Sequence, residues 1–242
     1  MCLALGRPGN RRAAHIPHPP SHIRHRPPRH RPAFTLLETA LAMIIIMVGV
    51  LAMVEAQGVF IRSNGWSSHE ATGTYLAGEI RERMRTLPRH DPVTGLALVS
   101  VNGTPTLQGL GREPNEVTVA DFDDVDDYGG ITFGLGGNFD GPIDAFGRII
   151  PMTDANGQPM LGPGGVPLPL QGWSQTVLVQ KMSPFNYSVV ANWTDTQAPS
   201  GAFPGREVDQ YPLRVTVSVF YQDPLAATPE MVTSMSWIVP AE

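Results

Sequence analysis

The stretch "FTLLETALAMIIIMVGVLAMV", residues 34–54, decides how the chain is read. Residues 40–54 contain no polar side chain. As an α-helix these 21 residues rise about 31 Å, enough to cross a hydrocarbon core of roughly 30 Å. A helix at the edge of a water-soluble domain keeps a polar face, and this one has none. It reads as a membrane span. One carboxylate, Glu38, lies near its start and needs a physical reason to be there.

The flanks orient the span. Residues 1–33 carry seven arginines, five histidines and no acid. The remainder then holds ten basic against 22 acidic residues, a net −12. The positive-inside rule places the N-terminus in the cytoplasm and the C-terminal domain across an inner membrane, as a single-pass protein. The acidic balance of that domain gives no footing for nucleic-acid binding. Cys2 is the sole cysteine, so a chain trimmed of its leader has no thiolate for catalysis or zinc. A cleavage site following the span is poorly matched. A cut before it, at Ala33/Phe34, leaves the span as a permanent anchor.

Ala33-Phe34-Thr35-Leu36-Leu37-Glu38 resembles the cleavage and methylation motif of type IV pilins and type II secretion pseudopilins. The family usually has Gly where this chain has Ala33. The resemblance implies cleavage between Ala33 and Phe34 by a prepilin peptidase, N-methylation of Phe34, and an assembly role for Glu38. It also implies that the subunit packs with other pilin or pseudopilin subunits, delivered from the bilayer by an inner-membrane assembly platform. The physics of Glu38 agrees. A carboxylate within a bilayer costs about 2.5–3.5 kcal/mol on insertion scales. The amine created by cleavage lies four residues away, within one turn, on the same or a neighbouring subunit. The alternative is that Glu38 reaches back to the interface.

No proline interrupts residues 34–87, and Pro88 stops the pattern. Leu76, Ile80, Met84 and Leu87 share one helical face, with Glu79, Arg81, Glu82, Arg83 and Arg85 around the others. The expectation is one long helix, bent near Gly49, Gly58 or Gly65, with Asn64-Gly65 the prime interruption. Arg81, Arg83, Arg85 and Arg89 read as a solvated helix end. Strand-like runs follow at residues 97–101, 116–120, 147–152, 176–182, 187–193, 213–221 and 231–239. The last two alternate most clearly and predict an antiparallel hairpin. Residues 134–172, rich in Gly and Pro, predict a long excursion with a small hairpin turning at residues 154–157. The chain thus divides into a leader (1–33), a transmembrane helix (34–57), an amphipathic continuation (58–87) and a β-rich domain (88–242). The fold class is α+β: a long helix packed on an antiparallel sheet, the pilin-like roll.

No nucleophile, phosphate-loop or metalloprotease motif is present, and His69 and His90 have no evident catalytic partner. No enzyme is expected. The segment "ADFDDVDDYGG", residues 120–130, packs five carboxylates into seven positions: Asp121, Asp123, Asp124, Asp126 and Asp127. Such a cluster repels itself unless solvated, capped or bound to a hard cation such as Ca²⁺. The EF-hand pattern fails, because Asp126 stands where that loop has Gly and Thr132 where it has Glu. Asp140 and Asp144 become further ligands only if the fold brings them near. The alternative is an acidic turn whose carboxylates cap backbone N–H groups, with Val125 and Tyr128 packed inward. The run Asp123 to Gly130 is similar to minor pilins of the mannose-sensitive haemagglutinin pilus, and the N-terminal helix to the pilus-modification type. The competing reading is an anchored adhesin that never polymerises.

Overall fold

In a computed structural model, the structure describes residues 35–241. Ala33 and Phe34, the expected cleavage and methylation positions, lie outside them. The chain divides into two compact units, the first ending at Val54 and the second beginning at Glu55.

The first unit is the opening of helix α1 (Leu36–Met84). Thr35 begins it as an N-cap. Its Oγ1 accepts the Glu38 backbone N–H at 3.3 Å, and its carbonyl accepts the N–H of Thr39 at 3.1 Å. A Thr followed three residues later by Glu is the pattern of a capping box. Glu38 also places its negative charge in the first turn, where the helix dipole favours it. Thr35 and Glu38 therefore have a local role in starting the helix, which the sequence reading did not assign. From Leu36 through Val54 every residue is exposed. The large apolar side chains here are each at least 57% exposed, on all sides. This helix is long and apolar enough to cross a membrane.

In the second unit α1 runs on without a break. The expected interruption at Asn64-Gly65 is absent. One glycine costs a helix interior only about 1 kcal/mol. The turns around it carry their own ties: Ser67 Oγ donates to the Ser63 carbonyl at 3.0 Å, and Trp66 Nε1 to Glu70 Oε1 at 2.9 Å. The helix stops at Met84, three residues before the expected end. Arg85 and Leu87 then donate to the carbonyls of Glu82 and Met84, a tightened turn ahead of Pro88.

The buried face of α1 is Gly73, Leu76, Ala77, Ile80 and Met84. It meets an antiparallel sheet of β3 (Thr132–Gly134), β4 (Trp173–Ser183), β6 (Leu213–Tyr221) and β7 (Glu230–Val239), in that order, with β5 (Asn186–Val190) paired to β4. A separate ribbon joins β1 (Ala97–Val101) to β2 (Thr104–Gln108). In β6, Leu213, Val215, Val217 and Val219 are fully buried, and the residues between them are partly exposed. Opposite them on β4 stand Lys181, Val179, Val177 and Gln175. The helix comes close to β7: a Cβ on Gly73 would lie 3.0 Å from Val232 Cγ1.

Gln175 fastens these layers together. Its Oε1 accepts the Ile143 N–H at 2.8 Å. Its Nε2 donates to the carbonyls of Leu76 at 2.8 Å and Ile143 at 3.1 Å. A buried amide fully satisfied in this way stabilises, and one left half-paired would not.

Two expected strands are not strands. Residues 116–120 form turns, because Asp121 Oδ2 captures the N–H groups of Val117 and Thr118 and the Thr118 hydroxyl. Residues 147–152 make only isolated bridges, Ile149 with Ile143 and Pro151 with Pro169. Prolines at 151, 159, 167 and 169 withhold the donors that a ladder needs. The small hairpin is present at its expected turn, with Asp154 accepting from Gly157 and donating to Gln158.

Candidate functional site

The acidic turn begins where the helix ends. Val125 donates its N–H to the Pro88 carbonyl at 2.9 Å. A short 3-10 turn follows at Asp126–Tyr128. Gly130 then donates to the Val177 carbonyl, and the chain enters β3 against β4. Phe122, Val125 and Tyr128 are buried in the core, as the capping alternative expects for the last two. The Tyr128 hydroxyl accepts from Arg83 Nε at 3.0 Å, tying the turn to the helix a second time.

Each carboxylate has its own surroundings. Asp121 is exposed and caps its own turn. The N–H of Thr118 draws its carboxyl below the usual range. Asp126 is buried, accepts the Gly111 N–H at 2.7 Å and pairs with His90 Nδ1. Asp124 Oδ1 accepts the N–H groups of Asp126 at 2.7 Å and Asp127 at 3.0 Å. Asp127 Oδ2 accepts those of Asp123 at 3.1 Å and Asp124 at 3.2 Å. Capping is therefore real, but it engages one oxygen of each. Asp124 Oδ2 and Asp127 Oδ1 are buried without a hydrogen-bond partner, as is His90 Nε2.

The fold adds two residues that the sequence reading did not single out. Glu116 is buried, and its Oε2 accepts the Glu113 N–H at 2.8 Å. Glu113, Glu116 and Asp127 offer oxygens within 4.8 Å of one another, and so do Asp123, Asp124 and Asp127. Burial, with Asp126 and Asp127 beside it, pushes the Asp124 carboxyl up to about 9. Burial, with Glu116 alongside, raises Asp127 to about 7. Burial and Glu116 raise Glu113 to about 7. Asp123 is also raised, chiefly by burial. Nearby Arg112 turns its guanidinium onto the rings of Phe122 and Phe139.

The acidic segment thus separates. Asp127 is shared by two triads, one with Glu113 and Glu116 and one with Asp123 and Asp124, and this cluster has the oxygen chemistry to coordinate a metal ion. Asp121 and Asp126 do not belong to it. Neither do Asp140 and Asp144; Asp144 closes its own loop with Arg148. His69 lies elsewhere, tilted against Tyr221 with ring centroids 4.3 Å apart and edge-on to Trp173. The chain has an α+β fold that matches a pilin-like roll, a long apolar N-terminal helix with an antiparallel sheet packed on its later turns. In comparisons with known proteins, no family model, curated protein or solved structure matches the chain.

Proposed function

We propose that the chain is a structural subunit of a type IV pilus-like filament, a minor pilin of the mannose-sensitive haemagglutinin type, with no reaction of its own. It is made as a single-pass inner-membrane precursor with its N-terminus cytoplasmic. Prepilin peptidase cuts between Ala33 and Phe34 and Phe34 is methylated. The assembly platform then draws the helix out of the bilayer to pack beside other subunits. The observation that carries this reading is the double use of α1. One continuous helix exposes apolar side chains on all sides up to Val54 and buries a face against a sheet from Gly73 onward. A helix that served only as an anchor has no need to continue as the spine of the domain. Glu38, at the third helical position, stands four residues along the sequence from the terminal amine that this cut would create.

The test is the N-terminus of the mature protein and the fraction that holds it. A chain beginning at N-methyl-Phe34 and recovered with sheared filaments is expected. Retention of Met1, or a mature chain confined to the membrane as in an anchored adhesin, overturns the reading. Recovery in a secretion pseudopilus assigns it to the type II pseudopilins instead.

The paired unpartnered oxygens of Asp124 and Asp127 favour an additional reading: the domain carries a bound divalent cation, Ca²⁺ by its oxygen donors. A shift in melting temperature on chelation tests it.

A further inference from the structure

We infer that Glu113, Glu116, Asp123, Asp124 and Asp127 hold one Ca²⁺ ion that pins the loop preceding the acidic turn to the turn itself. The inference rests on the cation reading above and is independent of filament assembly. It specifies the ligands, and they are not the run of acids evident in the sequence: Asp121 and Asp126 are replaced by two glutamates from upstream.

Two independent observations converge. The first is proximity: two triads of carboxylates, each within 4.8 Å, share Asp127. The second is what the capping bonds leave over. Asp124 and Asp127 are 0% and 1% exposed, and each gives one oxygen to two backbone N–H groups while the other has no partner. A buried anionic oxygen without a partner is costly. The charged groups acting on these carboxyls are further carboxyls, which add to that cost. A divalent cation at the free oxygens relieves it. Five carboxylates offering one or two oxygens each reach the six to eight that Ca²⁺ takes, at its looser distances. Mg²⁺ demands a tighter octahedron and gives up its waters reluctantly, so it fits this crowded set less well.

The ion also has a structural task. Glu113 and Glu116 sit on a loop joined to the turn by the bond from Gly111 to Asp126. Binding at the shared Asp127 adds a second closure of the same loop. The turn is in turn hung from the helix end through Pro88 and Arg83.

The experiment uses the full chain in detergent micelles at pH 7.5, stripped with EGTA and titrated with CaCl₂ and, separately, MgCl₂. At Ca²⁺ about 100-fold above its Kd, the melting temperature should rise by roughly 5–10 °C. Mg²⁺ should give a smaller rise at equal concentration. Tb³⁺ should show saturable luminescence excited through Tyr128 and be displaced by Ca²⁺. The double variant Glu113→Gln/Glu116→Gln removes charge at the loop without deleting the capping oxygens of Asp124 and Asp127. It should lose at least tenfold in Ca²⁺ affinity and most of the thermal shift. Asp121→Asn should retain both. A full shift in the double variant overturns the ligand set while the cation reading stands. No shift and no Tb³⁺ signal in the native chain overturns both.

Discussion

The opening of α1 sets one carboxylate in an apolar stretch of helix and the acidic turn sets several in a folded interior, and they meet the charge by opposite means. Glu38 stands alone at a helix start, its backbone N–H received by Thr35 three residues back and its charge aligned with the helix dipole. Asp124 and Asp127 stand among their own kind in a folded interior, and their capping bonds engage half of each group. The first arrangement closes locally. The second stays open and calls for a proton or a metal from outside. The dipole of its own helix therefore favours one charge near a helix terminus, whereas backbone capping leaves a buried cluster half-paired.

The largest expected effect tests whether the domain stands on a polar fastening as much as on its apolar layers. Gln175→Ala leaves the Ile143 N–H without its acceptor and opens a gap between helix and sheet. It should cost about 2–4 kcal/mol, read from chemical denaturation. The second effect probes the open arrangement directly. Burial lifts Asp127 and Glu113 to about 7 and Asp124 to about 9. A carboxyl raised on folding holds its proton more tightly in the native state. Its stability is fully present below the ordinary range near pH 4 and is lost as pH rises through the raised values. In EGTA, the melting temperature should fall by several degrees from pH 5 to pH 8. Saturating Ca²⁺ should flatten that fall. Lys181, lowered to about 8 by burial, contributes the opposite slope only above this window. A melting temperature constant across the window in EGTA would break the contrast between the two regions.

The third sharpens the closed arrangement. Glu38→Gln keeps the backbone bond to Thr35 and removes the charge; Glu38→Ala removes the side chain altogether. If the charge pairs with a terminal amine, both variants should insert in the membrane and both should be depleted from filaments to a similar degree. Filament content unchanged in Glu38→Gln would reduce Glu38 to a helix-start residue. Thr35→Ala should weaken the helix start by about 1 kcal/mol, visible as faster amide exchange in the first turn. The smallest effect is a gain. Gly65 has open space around its missing Cβ. Gly65→Ala should stabilise the helix by up to about 1 kcal/mol with no change in insertion.

The same contrast governs what could be read from the sequence. Helix α1 was legible because apolar runs and the Leu76, Ile80, Met84 spacing are local signals, and β6 with β7 because alternation is local as well. Strand β2 has a local signal as well: Asn102-Gly103 takes positive φ at both positions, the tight hairpin turn that joins β1 to β2. The three residues of β3 carry no usable pattern, and their pairing is imposed by β4. At the site, the acidic run was evident but its division was not. Whether an Asp faces solvent, a histidine or a neighbouring carboxyl depends on Pro88, Gly111 and His90 meeting the turn from elsewhere. Glu113 and Glu116 become partners of Asp127 through the same long-range bonds, so spacing alone could not recruit them.

The planar amide of Gln175 also fixes an angle. Its bonds to Leu76 on the helix and Ile143 in the loop region leave the helix no freedom to roll or slide on the sheet without rupture. The sheet is keyed to the helix like a hub on a splined shaft. A turn of one is delivered to the other with little play.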